Sequence, residues 1–140
     1  MVGLGAGARS YTSALHYSTE YAVGRVGVLK ITRHYVSRPH QESSYADYGC
    51  ELNLDERKRR YVLKSLLRAP GLDLTDYQRL FTSEPVIDFT ELHQLFDNGW
   101  AAELGGRLCL TSEGLELSDV IGPWLCSAGV RERMHSYILT

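Results

Sequence analysis

Two adjacent glycines, Gly105-Gly106, stand between two short runs of alternating apolar residues, Trp100–Leu104 and Leu108–Leu110. Adjacent glycines can both take positive φ, as a tight, correctly twisted hairpin turn requires. The spacing predicts a hairpin with Trp100, Ala102 and Leu104 along one face of its first strand, and Leu108 and Leu110 on its second. An isolated hairpin is at best marginally stable in water, so other segments must cover it. Those segments carry helix signals. Asn53 and Glu56 have capping-box spacing, and Val62, Leu63, Leu66 and Leu67 recur on one helical face. Ala69-Pro70-Gly71 stops that helix. Thr75 and Gln78 repeat the capping spacing in a short helix with Tyr77, Leu80 and Phe81. Asp88 and Glu91 repeat it for a third helix that buries Phe89, Leu92, Leu95 and Phe96, with Asn98-Gly99 as its left-handed stop. Past the hairpin, Thr111 or Ser112 caps a helix with Leu117, Val120, Ile121, Trp124 and Leu125 on one side, which Pro123 kinks or ends. The tail from Gly129 to Thr140 reads as a short helix or a loose end. Helix, helix, helix, hairpin is the order of a winged helix, here over residues 51–128.

The first part of the chain has another texture. Residues 1–50 are rich in Tyr, Ser, Gly and His and weakly periodic. Val23–Val36 reads as a helix with Val26, Leu29, Ile31 and Tyr35 as its apolar positions, weakened by Gly24 and Gly27 and ended by Pro39. Ser37–Ser44 reads as a surface connection and sets the expected boundary, with domains over 1–44 and 45–140. The fold class expected is α+β and mainly helical.

Composition narrows the function classes. The chain has 140 residues, 44% of them hydrophobic and 23% charged, which is enough for one modest core. A net charge of -2 gives no general attraction to nucleic acid or to an anionic membrane. No apolar run reaches the roughly 20 residues of a membrane span, and no signal peptide opens the chain. Cys50, Cys109 and Cys126 are widely spaced and form no CxxC pair or metal-ligand spacing. They read as reduced thiols, each a small buried hydrophobe, in a cytoplasmic protein.

The glycine-rich start resembles a known segment. Gly3-Leu4-Gly5-Ala6-Gly7-Ala8-Arg9-Ser10-Tyr11 is similar to the Gly-x-Gly-Ala-Gly-Ala-His-Ser segment of radical SAM enzymes of the oxygen-independent coproporphyrinogen III oxidase family, with its heme-chaperone relatives. Leu66-Leu67-Arg68 followed by Gly71-Leu72-Asp73-Leu74 resembles that family's Leu-Arg-x-x-Gly signature. Asn98-Gly99-Trp100 through Leu108-Cys109-Leu110-Thr111-Ser112-Glu113-Gly114 resembles its closing run. The resemblance covers most of the chain and rests on the order of the three segments. It implies the end of a partial TIM-type barrel over 1–44, then a winged-helix-like C-terminal domain over 45–140. It also implies a parent with a 4Fe-4S cluster and S-adenosylmethionine acting on a small organic substrate of tetrapyrrole type, in porphyrin biosynthesis. Two features depart from the pattern: Arg9 stands where the family usually has His, and Ser13–Ser18 does not look like the well-known oxidases. The Cys-x3-Cys-x2-Cys loop that such a cluster needs is absent. The expectation is therefore a C-terminal fragment, inert alone, with no cofactor, metal or catalytic residue of its own. Its partner is the missing N-terminal barrel, and its residues 1–40 are poorly ordered without it.

Candidate site residues follow from these readings. Through the resemblance, Gly5, Gly7 and Arg9 lie near S-adenosylmethionine or substrate. Gly3, Gly5 and Ala8 also fit a dinucleotide pattern, but no strand precedes them and no acidic residue follows about 20 positions on. The plain alternative is a tight turn that needs glycine for its backbone alone. Arg9 has the fork to hold a carboxylate, or is a surface arginine. His16 and Tyr17 face the same substrate cavity, or His16 is merely exposed or structurally bonded. Arg60, Lys64 and Arg68 form a basic stripe with Arg57 nearby, either for phosphates or as a solvated face. Glu91, His93, Gln94 and Asp97 on the third helix, with Glu103 on the wing, argue against DNA. Trp100, Trp124, Phe89 and Phe96 read as core. The alternative function is a stand-alone winged-helix binding or regulatory module.

Overall fold

The computed structural model describes residues 2, 3, 5–19, 22–39, 41, 42, 45, 46 and 48–136. Leu4, His40, Ser43 and Ser44 of the segments singled out above, and the last four residues of the tail, lie outside these. The protein is α+β and mainly helical, with two small antiparallel sheets. It divides into two units, residues up to Leu54 with the segment from Met134, and Asp55–Arg133. The expected boundary at residues 44/45 is thus displaced. The cause is strand β3 (Tyr48–Glu51), which pairs with a strand of the first unit and carries that unit past the Ser37–Ser44 connection.

The first unit holds a sheet that the sequence did not announce. Strands β1 (Ser10–Tyr11), β2 (Leu15–Ser18) and β3 run antiparallel in the order β1-β2-β3. Ser10 lies opposite Tyr17, and Tyr17 opposite Gly49. The expected helix is present as α1 (Arg25–Ser37) and ends at Arg38 before Pro39. Of its expected apolar positions only Ile31 is half-buried, and Val26, Leu29 and Tyr35 are exposed. Val26 is 82% exposed and Val36 78%, and no residue of α1 is buried. Among the described residues of this unit, only Ser10 is buried. Helices shorter than about 15 residues owe most of their stability to tertiary packing. Amides of α1 should therefore exchange with solvent roughly a hundredfold faster than those of the second unit's first helix. Equal protection of the two helices in hydrogen exchange would contradict this account of the first unit.

The second unit is built around one core. Helix α2 (Leu54–Leu66) buries Val62 and Leu66 and packs Leu63 and Leu67 beside them. A two-residue strand, β4 (Leu72–Asp73), follows at once. Asp73, not Thr75, caps helix α3 (Leu74–Phe81), because its carboxylate accepts the Asp76 N–H at 2.9 Å as the chain leaves β4. Tyr77 is the buried residue of α3, while Leu80 is 53% exposed. The third helix is broken into α4 (Pro85–Asp88), a 3₁₀ turn (Thr90–Leu92) and α5 (His93–Asp97). Asp88 ends α4 instead of capping a helix, since Phe89 leaves helical conformation at φ -132°, ψ 82°. Phe89, Leu92 and Leu95 still reach the core. Gly99, at φ 71°, closes α5 as expected. Its N–H bonds Phe96 O and the Trp100 N–H bonds Leu95 O, the paired bonds of a Schellman stop.

The hairpin forms where expected. β5 (Ala101–Leu104) and β6 (Arg107–Leu110) pair Leu104 with Arg107 around Gly105 and Gly106, at φ 58° and 75°. The inward face of β5 differs from the expectation by one residue, which exchanges the two faces of a strand. Ala101 is buried, whereas Leu104 is 65% exposed. β4 pairs with β6 on its other side, giving the order β4-β6-β5. The last predicted helix is split into α6 (Ser112–Glu116), capped by Thr111, and α7 (Ser118–Trp124). Ile121 and Leu125 are buried, but Val120 is 65% exposed. Phe96, Trp100 and Trp124 pack against the core beside buried Phe89. The tail forms α8 (Ala128–Ser136).

Candidate functional site

The glycine-rich start makes two close approaches. A side chain at Gly3 would lie 2.7 Å from the Arg9 carbonyl oxygen, and the Gly3 N–H donates to buried Ser10 Oγ at 3.0 Å. Gly5 and Gly7 sit at φ 104° and 74°, where glycine is favoured. The Gly7 N–H donates to Thr19 Oγ1 at 2.6 Å, fastening the start over the end of β2.

A cavity of about 120 Å³ opens beside these residues, within the first unit. Gly5, Ala8, Tyr17 and Thr19 line it, with Tyr35 from the end of α1 and Tyr45 just past the Ser37–Ser44 connection. Arg38 completes the wall. Its side chain is 14% exposed, with Nε 3.6 Å from Glu42. A guanidinium fork among phenol and hydroxyl groups is chemistry for a small anion such as a carboxylate.

Of the five residues expected at the site, the structure brings Gly5 and Tyr17 together in this wall. Gly7 is outside the wall but bonds the wall residue Thr19 through its N–H. Arg9 is exposed and lies outside the wall. His16 cannot share the cavity with Tyr17, because successive residues of a strand face opposite ways. Its ring stacks on Tyr11, with centroids 4.5 Å apart and planes 27° apart. The sequence marks neither Arg38 nor Tyr45 as a site residue, and it marks Tyr35 only as an apolar helix position. The one local signal was Arg38-Pro39: the residue before proline is extended, here at φ -64°, ψ 128°, and so leaves the helix.

The second unit holds a charge network of several linked pairs. Lys58 Nζ lies 2.7 Å from Asp88 Oδ1, and the Tyr77 hydroxyl donates to Asp88 Oδ2 at 2.8 Å. Arg59 donates to Asp55 at 2.9 Å, to Glu91 at 2.8 Å and to the Leu125 carbonyl at 3.0 Å, and its guanidinium stacks 4.5 Å over Phe89. Glu91 is therefore held by Arg59 rather than presented outward. Burial, then the bond to Asp88, pushes the Tyr77 hydroxyl far above its ordinary range. Burial opposes ionisation of Asp88, but bonds from Lys58, Tyr77 and Ser83 outweigh it and hold the carboxyl below its usual value. Glu91 is lowered in the same way, with Arg59 overcoming burial. Groups that keep one protonation state near neutral pH clamp a fold and do not shuttle protons.

The cysteines are free and half-buried, not fully buried as expected. Cys50 is on β3, Cys109 on β6 and Cys126 after α7. Burial, then the Glu56 charge, pushes the Cys126 thiol up. Among the described residues, no three His, Cys, Asp or Glu side chains come together as metal ligands. No described helix is long and apolar enough to cross a membrane. No family model, curated protein or solved structure matches the chain.

Proposed function

We propose that this chain is the C-terminal part of a radical SAM oxidoreductase resembling the oxygen-independent coproporphyrinogen III oxidase family, and is inert alone. The observation that carries the reading is the first unit, where a sheet and a 13-residue helix bury no apolar side chain among the described residues. Such elements are usually one layer of a larger body. In this reading the layer is the end of a partial barrel, and the N-terminal barrel supplies its cover. The three cysteines of this chain do not fit a 4Fe-4S cluster, so the cluster and S-adenosylmethionine belong to that barrel. The cavity at Gly5, Tyr17 and Arg38 then faces a small organic substrate of tetrapyrrole type, with Arg38 holding a carboxylate. The second unit, with helix, strand, two helical stretches and a hairpin in the sheet order β4-β6-β5, supports the winged-helix-like cap. The cytoplasm is its proposed location.

Sequencing the source DNA upstream of Met1 tests this. A continuous frame encoding Cys-x3-Cys-x2-Cys is the expected result. A stop codon with a ribosome-binding site before Met1, and no such cysteines nearby, would overturn it. The element order of the second unit equally favours a stand-alone winged-helix module. A steep salt dependence of heparin binding would favour that second reading in its phosphate-binding form.

A further inference from the structure

We infer that the second unit carries a binding site for a small organic cation with an apolar body, between α3, the start of α4 and the hairpin. The site is a cavity of about 290 Å³. Its floor is Leu74, Val86, Phe96 and Leu108, from four different elements of the core. An apolar cavity of roughly half that size holds a benzene ring. Two carboxylates complete the lining, Glu84 just before α4 and Glu103 on β5. Glu103 sits there because it lies opposite Leu108 in the hairpin register, on the face that looks toward the core.

The charge pattern selects the ligand. Elsewhere in this unit Asp73 is paired with Arg107, Asp76 with Arg79, Asp88 with Lys58, and Glu91 with Arg59, whereas exposed acids such as Asp97, Glu113 and Glu116 form no ion pair among the described residues. Glu84 and Glu103 have no cationic partner among the described residues. No lysine, arginine or histidine lines the cavity. Thr75 and Gln78 add neutral polar groups on the α3 side. An anionic ligand would be repelled by both glutamates, and a neutral one would gain only the apolar floor. An ammonium or amidinium group on an aromatic or short alkyl body satisfies floor and carboxylates together. The inference does not depend on whether the chain belongs to a larger enzyme.

Phenethylamine, phenethyl alcohol and phenylacetate share a body and differ in charge. Titration of the full chain with each, followed by backbone amide shifts in NMR, tests the site. The amine should shift Thr75, Gln78 and Glu84 and bind severalfold, up to roughly tenfold, more tightly than the alcohol, because Glu84 and Glu103 are both exposed. The acid should bind more weakly than the alcohol. In Glu84→Gln/Glu103→Gln, amine and alcohol should bind alike, with the alcohol unchanged from the parent. Equal binding of amine and alcohol to the parent chain would overturn the proposal. So would shifts confined to other residues, or no shift with amine at millimolar concentration.

Discussion

Gly114→Ala should lower the melting temperature of the second unit by roughly 10 °C or more. Gly114 is a buried residue of α6, and its backbone lies against the Trp100 carbonyl. A Cβ there would collide with that oxygen and lie 2.9 Å from the carbonyl carbon. Neither atom can swing aside as a flexible side chain would. The Trp100 oxygen also accepts the Thr111 N–H at 2.9 Å. Thr111 in turn donates its hydroxyl to Gly99 O at 2.9 Å and accepts the Gly114 N–H at 3.2 Å. One methyl group therefore presses on the junction of α5, β5 and α6 together. Overpacking of this kind costs about 1–3 kcal/mol, and each kcal/mol shifts a domain of this size by about 4–8 °C. Gly99→Ala is the control. It meets nothing within 4 Å but must hold φ 71°, a strain of about 1–2 kcal/mol without a clash. Calorimetry on both variants separates steric from conformational cost. A Gly114→Ala melt within a degree of the parent would refute the close approach.

Asp88→Asn should destabilise the second unit by about 3 kcal/mol near neutral pH, because it leaves Lys58 without its counter-charge in a partly buried site. The loss should depend on pH. The folded Asp88 carboxyl ionises below its ordinary value of 3.8, so an unfolded chain takes up its proton first as pH falls. The stabilisation is then complete above about pH 5 and lost as pH drops through the folded value. Urea midpoints of parent and variant should converge below pH 4. Tyr77→Phe should cost less, about 1 kcal/mol, since it removes one bond and leaves the ion pair in place. A parent–variant difference that stays constant down to pH 2.5 would mean that Asp88 does not act through its charge.

Local chemistry explains which parts of this fold were legible in advance. Gly105-Gly106, Gly99 and a cap at Thr111 or Ser112 are legible because each is decided by neighbours within a few residues, and the structure puts the cap on Thr111. Helix α2 was legible for the same reason, since Val62 and Leu66 recur at helical spacing. β4 was not, because two residues carry no periodicity. The face of β5 is not legible in the alternation, because Leu104, at the tip of the hairpin, is exposed despite being apolar. In the first unit, β2 shows a half-buried pattern with no clean alternation, so its pairing with β3 left no signal. His16 and Tyr17 are neighbours in sequence, and only their being successive residues of β2 puts them on opposite faces. The Lys58–Asp88 contact and the two glutamates of the cation cavity depend on residues far apart in the chain, which no local pattern records.

The central strand of the second sheet is also the last of the three to be made. β6 lies between β4 and β5, so neither outer strand has a partner until residues 107–110 exist. A chain leaving the ribosome therefore presents Leu72 and Ala101 before the strand that joins them has been synthesised. Antiparallel pairing of β5 follows at once through the two-glycine turn, while β4 must be recaptured across all of α3, α4 and α5. Arg107 is the first residue of β6 to emerge, and it carries the groups for that recapture, reaching Asp73 at 2.7 Å and the Pro70 carbonyl at 3.2 Å. Synthesis thus delivers the latch well after the strand it secures, and at the leading end of the strand that pairs with it.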